Sequence, residues 1–110
     1  MLKQFVSVYV PGTHDISHAI DSKKRALIVD NIARRLSSKF GGATSTSGIG
    51  YYVSNTGQLI REKITIVKSY HDHDPAAALE YTSVLARELC HELTQESVTI
   101  ETNDGIDFIS

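Results

Sequence analysis

Ile49-Gly50-Tyr51-Tyr52-Val53-Ser54-Asn55-Thr56-Gly57-Gln58-Leu59-Ile60-Arg61-Glu62-Lys63-Ile64-Thr65-Ile66-Val67 is the stretch whose reading decides the fold. Aromatic and β-branched residues dominate both flanks, as in strands. Ser54-Asn55-Thr56-Gly57 divides them, with Asn and Gly where a tight loop needs positive φ. The reading is a hairpin of two strands, about Ile49 to Val53 and Leu59 to Tyr70. Everything else must be arranged around this central ββ unit.

A helix precedes it. Val29, Ile32, Ala33, Leu36 and Phe40 repeat with the helical period. Asp21 or Ser22 can cap its start, and Gly41 suits the left-handed position that stops it. Before that helix, Val6, Val8 and Val10 alternate with Phe5, Ser7 and Tyr9 in a strand from Lys3 to Val10, which Pro11-Gly12 ends. Residues 11–21 read as a polar connection. After the hairpin, Asp74-Pro75 opens a second helix, Asp as N-cap and Pro at N1. Tyr81, Leu85, Leu89 and Leu93, with Ala78 and Ala86, carry it to about Gln95. Val98 to Thr102 is a strand, and Asn103-Asp104-Gly105 turns into a last short one, Ile106 to Ile109.

The order is β-α-β-β-α-β with an extra C-terminal hairpin strand. This is an α+β chain with the pattern of a ferredoxin-like sandwich, one domain over residues 1–110. Parity assigns Val6, Val8, Val10, Tyr51, Ile64, Ile66, Val98 and Ile100 to the helix-covered face. It assigns Phe5, Ser7, Tyr9, Tyr52, Lys63, Thr65, Val67, Ser69, Thr99 and Glu101 to the other. Phe5, Tyr9, Tyr52 and Val67 make that second face too apolar to stand in water, so it is expected to form a homodimer or to floor a pocket.

Composition narrows the function classes. The formal charge of −2 gives no global pull toward nucleic acid or an anionic membrane. The single cysteine, Cys90, rules out an intrachain disulfide and a cysteine-based zinc site, and reads as a packing residue. No secretory leader is visible and no apolar run nears the roughly 20 residues that span a bilayer. The expected location is cytoplasmic, with no membrane partner and no cofactor.

The candidate chemistry is sparse. Gly41 to Tyr52 is rich in glycine and hydroxyls and ends on two tyrosines, a composition that can cradle an anion. It follows a helix C-terminus, however, where the dipole has the wrong sign. A helix stop, a flexible connection and a bulge at Gly48 or Gly50 form the plainer reading. Thr44, Ser45, Tyr52 and Tyr9 are the ligand-binding candidates. Glu62 falls in phase with Ile60, Ile64 and Ile66, which marks it as a candidate general acid or base if buried. His71 is a second catalytic candidate. His14 and His18 bracket Asp15, and His71 and His73 alternate with Asp72 and Asp74. These are metal-ligand types in weak spacing, and no metal is favoured. Helix one is basic (Lys23, Lys24, Arg25, Arg34, Arg35, Lys39) and helix two acidic (Glu80, Glu88, Glu92, Glu96). The contrast can hold the helices together. Nucleic-acid binding is disfavoured because the strand aromatics do not match the common RNA-binding sheet.

Four segments carry a resemblance: Lys39-Phe40-Gly41-Gly42-Ala43-Thr44, Gly50-Tyr51-Tyr52, Glu62-Lys63-Ile64-Thr65-Ile66-Val67 and Gln95-Glu96-Ser97-Val98. Together they resemble small uncharacterised proteins of phages, plasmids and bacterial chromosomes with Phe-Gly-Gly-Ala-Thr, Gly-Tyr-Trp/Tyr and Gln-Glu-x-Val segments. The resemblance spans the chain from about residue 25 and implies a mobile-element accessory role, including interference with a host defence.

The leading expectation is a non-enzymatic interaction or small-ligand-binding protein, homo-oligomeric through its open sheet face. One alternative is an inhibitor that binds a host protein or sequesters a small anionic signal. The other is a small enzyme using Glu62 with a histidine.

Overall fold

A computed structural model describes residues 1–14 and 18–110. Its elements are β1 (Gln4–Pro11), β2 (Thr13–His14), β3 (His18–Ala19), α1 (Ser22–Phe40), β4 (Thr44–Val53), β5 (Leu59–His71), α2 (Pro75–Glu92), β6 (Val98–Thr102) and β7 (Gly105–Ile109). The five long strands form one antiparallel sheet in the order β4-β5-β1-β6-β7. The expected α+β order is present, with two helices and the added C-terminal strand. Part of the expected polar connection is instead a small β2–β3 pairing, Thr13 opposite Ala19 and His14 opposite His18.

Local chemistry explains the boundaries. Asp74 accepts the Ala77 N–H at 3.0 Å and Pro75 follows, so α2 starts where expected. Asp21 precedes α1 but makes no side-chain cap. Gly41 ends α1 at φ 100°, its N–H bonded to the Ser37 carbonyl at 2.7 Å. The α2 terminus falls short of Gln95: the helix ends at Glu92, and Thr94 takes the left-handed turn at φ 51°.

Both helices pack on one face of the sheet. Val6, Val8, Val10, Val67, Val98 and Ile100 meet Ile28, Ile32, Leu36 and Phe40 of α1 and Ala78, Leu85, Ala86 and Leu89 of α2. Burying each Leu contributes about 1.5–3 kcal/mol relative to exposure. Arg35 pairs with Glu88, and the Tyr81 hydroxyl donates to the Arg35 carbonyl at 3.1 Å, so the opposed helix charges do join α1 to α2.

Four expectations on the central hairpin need correction. The hydroxyl run is strand, not flexible connection: Thr44 pairs with Lys68, Ser45 with Val67, Thr46 with Ile66 and Ser47 with Thr65. The register continues unbroken to Val53 opposite Leu59, so neither Gly48 nor Gly50 forms a bulge. The faces of β5 are also exchanged. Val8 lies opposite Val67 and Val10 opposite Thr65, which puts Lys63, Thr65, Val67 and Ser69 on the helix side and Ile60, Glu62, Ile64 and Ile66 on the open side. Alternation in β5 pointed the other way, because Ile60, Ile64 and Ile66 share one parity while Val67 stands among Lys63, Thr65 and Ser69, and pairing with β1 overrides that pattern. Tyr51 has the helix-side parity expected, yet it is 60% exposed and no part of the core. Pairing of β5 with β1 ends at Pro11 opposite Ile64, so the β4–β5 ribbon runs on past the covered sheet.

Candidate active site

The open side of that ribbon holds an unusual surface. Gly48 lies opposite Ile64, Gly50 opposite Glu62 and Tyr52 opposite Ile60. These six positions share one face, because directly paired residues do. Neither glycine has positive φ, and a Cβ would meet only ordinary contacts, 3.6 Å at Gly48 and 3.8 Å at Gly50. Glycine weakens a strand interior, and one reason for it there is close approach by a ligand or another backbone. Here it leaves a bare strip beside the Glu62 carboxylate, walled by Ile60, Ile64 and Tyr52.

Glu62 is half-buried and held from one side. The Thr13 hydroxyl donates to its Oε1 at 3.0 Å. Thr13 reaches it because Pro11-Gly12 crosses close over β5: a Cβ on residue 12 would stand 2.4 Å from the Lys63 carbonyl oxygen. Only glycine fits that crossing. The Gln95 amide in turn donates to the Thr13 carbonyl at 2.8 Å. Sequence reading missed Gly12, Thr13 and Gln95 as site residues. A glycine directly after a strand-ending proline was the available signal for the crossing.

The structure separates the other candidates. Tyr52 shares the Glu62 face, but Thr44 stands eight residues along the same strand, about 27 Å at ordinary strand rise. Ser45 faces the helix side opposite Val67. His71 lies nine residues from Glu62 along β5, about 30 Å, and on the other face. It is 3% exposed and stacks on Phe40 at 4.9 Å between ring centroids. Its Nδ1 accepts the His73 N–H at 3.1 Å. Burial, then the neighbouring His73, push the His71 imidazole below its ordinary pKa. Glu62 and His71 therefore do not form a pair. The side chains of His14 and His18, and Asp15 between them, lie outside the described residues. Among the described residues no group of three or more His, Cys, Asp or Glu converges as a metal site.

Tyr9 is on the open face as expected, nearer the sheet centre. Its hydroxyl donates to Glu101 Oε1 at 2.7 Å. That hydrogen bond, then burial, then the Glu101 charge hold the phenol proton more tightly than usual. Tyr9 is thus a donor and no base. Nearby, the Lys68 ammonium sits 4.1 Å from the Phe5 ring centroid and 5.0 Å from that of Tyr70. Behind the glycine strip, on the helix side, Arg25, Ser47, Ile49, Lys63 and Thr65 line a cleft of about 360 Å³.

Fold and site together define an α+β protein whose open sheet face carries the half-buried Glu62 carboxylate beside a strip of glycine. No family model matches the chain, and no curated protein matches it. Two solved structures share its fold. One is a phage SAM lyase in complex with S-methyl-5'-thioadenosine, with TM-score 0.71 and 18% identity over 97% of this chain and 88% of that one. The other is a phage SAM lyase in the apo state, with TM-score 0.71 and 18% identity over 99% of this chain and 90% of that one. The leading expectation of a non-enzymatic binding protein gives way to this finding, since both neighbours are chains of an enzyme. Among the described residues no helix is long and apolar enough to cross a membrane.

Proposed function

We propose that this chain is an enzyme that cleaves S-adenosylmethionine, a sulfonium nucleoside, at its open sheet face. The observation that carries the reading is the shared fold over 97% of the chain with a phage SAM lyase that binds S-methyl-5'-thioadenosine. The glycine strip supports it by leaving room for a flat ligand beside Glu62. In the proposed step, the bond between the sulfonium sulfur and the amino-acid carbon chain breaks. Its electron pair stays on sulfur, and neutral S-methyl-5'-thioadenosine leaves. A lyase consumes no water, so the remaining carbon is satisfied from within the substrate, by its own carboxylate or by loss of a proton. Positive charge disappears from sulfur in this step, so an apolar setting such as Ile60, Ile64 and Tyr52 favours it over water. Thr13 occupies Glu62 Oε1, and among the described residues Oε2 is left to orient the substrate through its ammonium, away from the sulfonium, for cleavage.

The test is chromatographic detection of S-methyl-5'-thioadenosine released from S-adenosylmethionine. Wild type should release it, and Glu62→Gln should slow release at least about 100-fold with an unchanged unfolding midpoint. A folded Glu62→Gln variant with wild-type rates would overturn the role given to Glu62. Absence of release by wild type would overturn the activity.

We further assign the fold to the ferredoxin-like class. The order β6-β1-β5-β4 within the sheet supports this, because it is the split βαβ arrangement. We also propose self-association through the open face and a mobile-element accessory role. The phage origin of both neighbours agrees with the latter. A cytoplasmic setting fits a chain whose one cysteine is unpaired.

A further inference from the structure

We infer that Gln95 is a positioning residue for Glu62, acting through Thr13. The inference rests on the reading of Glu62 as the carboxylate that orients the substrate for cleavage. It gives one purpose to four features that packing leaves unexplained.

The first is the end of α2. The Gln95 N–H bonds to the Cys90 carbonyl at 3.0 Å and the Thr94 N–H to the His91 carbonyl at 3.3 Å. This is the double closure that normally has glycine at the left-handed position. Here that position is Thr94, a β-branched residue at φ 51°, where such residues are genuine outliers. Strain of this kind persists only where the surroundings over-determine it, and it gathers at functional sites.

The second is Cys90. Its thiol is buried and donates to the Gln95 carbonyl at 3.0 Å, so the Gln95 backbone is gripped at both its N–H and its C=O by one residue. The third is the Gln95 side chain. So fixed, it reaches a segment 82 residues away in sequence and donates from Nε2 to the Thr13 carbonyl at 2.8 Å. The fourth is Gly12. Without its close crossing of Lys63, Thr13 would stand too far out to donate to Glu62 Oε1. The chain from Cys90 through Gln95 and Thr13 to Glu62 is continuous and every link is a hydrogen bond. It also gives a physical role to the Gln95-Glu96-Ser97-Val98 segment that stood out in the sequence.

The chain explains why one carboxylate oxygen is fixed by a hydroxyl while the other has no partner among the described residues. A Glu on a ribbon that extends past the covered sheet would otherwise sample several rotamers. The Thr13 hydroxyl selects one, and Gln95 keeps Thr13 from drifting with its short strand. The geometry therefore predicts an effect on turnover rather than on substrate capture.

The experiment compares Gln95→Met, which keeps length and loses the donor, with Gln95→Lys, which restores a donor at similar reach. Both are read by steady-state S-adenosylmethionine cleavage, by thermal unfolding, and by the methyl resonance of Thr13 in threonine-labelled protein. Gln95→Met should lower kcat on the order of 10- to 100-fold, the scale set by about 1 Å of misplacement, with KM within about twofold. Its unfolding midpoint should stay near wild type, and Gln95→Lys should recover most of kcat. The Thr13 methyl resonance should shift both in Gln95→Met and in Glu62→Gln. Wild-type kcat in a folded Gln95→Met protein would overturn the inference, as would a loss of kcat matched by loss of stability. If wild type cleaves no S-adenosylmethionine, the activity reading fails on its own, and the resonance still decides. A Thr13 methyl that ignores either substitution rejects the coupling, and one that responds to both upholds the linkage to Glu62.

Discussion

At the residue scale, His71 shows how a metal-ligand or catalytic type can serve structure instead. It sits at the end of β5, stacked on Phe40, with His73 approaching the same ring at 5.0 Å. Its Nδ1 accepts a backbone N–H, which requires the neutral imidazole there. Folding depresses its pKa from the ordinary value of 6.5, so the unfolded chain binds a proton at pH values where the folded chain does not. The stability this contributes is fully present above 6.5 and is lost as pH falls through the lower folded value. The unfolding midpoint should therefore decline as pH drops from about 7 toward about 5.5, before most carboxylates titrate. His71→Asn keeps an acceptor for the His73 N–H without a titrating ring, and should flatten the decline. An equally steep decline in that variant, followed by thermal melts across the same pH range, would assign the effect elsewhere. Nothing in the sequence distinguished this role, because an H-x-H spacing looks the same whether the rings face a metal or a phenylalanine.

At the element scale, the legibility of the chain was uneven for a physical reason. The helices, their stops and the hairpin loop follow from local chemistry: Asp74-Pro75, Gly41, and Ser54 to Gly57. Each was placed correctly, apart from the α2 terminus, where Thr94 occupies a glycine position. The faces of β5 do not follow from local chemistry. Ile60, Ile64 and Ile66 fill one parity and Val67 the other, and only pairing with β1 selects Val67 for the core. Glu62 was thus assigned to the wrong face. The error matters, because on the open side it adjoins Tyr52 and the glycines rather than the core. The glycines themselves separate two explanations of β4. If they serve the fold, adding a methyl should do harm. If they serve a ligand, Gly50→Ala should stabilise the strand by about 0.5 kcal/mol, since glycine is a poor strand residue and the added Cβ meets nothing closer than 3.8 Å. The same variant should raise KM for S-adenosylmethionine several-fold. Denaturant melts and steady-state kinetics on one preparation measure both, and a destabilised variant with unaltered KM would mark Gly50 as structural.

At the scale of the whole molecule, the arrangement leaves one sheet face without a layer. Two helices cover the side of Val6, Val8 and Val10, while the other presents Phe5, Tyr52, Ile60, Ile64 and Ile66 across the strands. Phe108 and Ile106, opposite Thr99 and Glu101 on β6, extend this surface to the far edge. Phe108 is 69% exposed and Tyr52 56% exposed, large aromatic area for a chain of 12.1 kDa to hold in water. Exposed aromatic residues at both edges of this face are the observation behind the proposed self-association, for which a further copy of the same chain is the commonest occupant. The candidate site lies on this face, so association would also exclude water from the surroundings of Glu62, which the proposed sulfonium cleavage favours. Phe108→Asp places a charge in the patch without touching the core or Glu62. Multi-angle light scattering should report wild type at a multiple of 12.1 kDa and the variant as a monomer at micromolar concentrations. Turnover should fall with the loss of assembly. It should recover as concentration is raised if the charge weakens association rather than abolishing it. Wild type that remains monomeric from micromolar to millimolar concentration would remove self-association, and the open face would then have to be covered by the substrate alone.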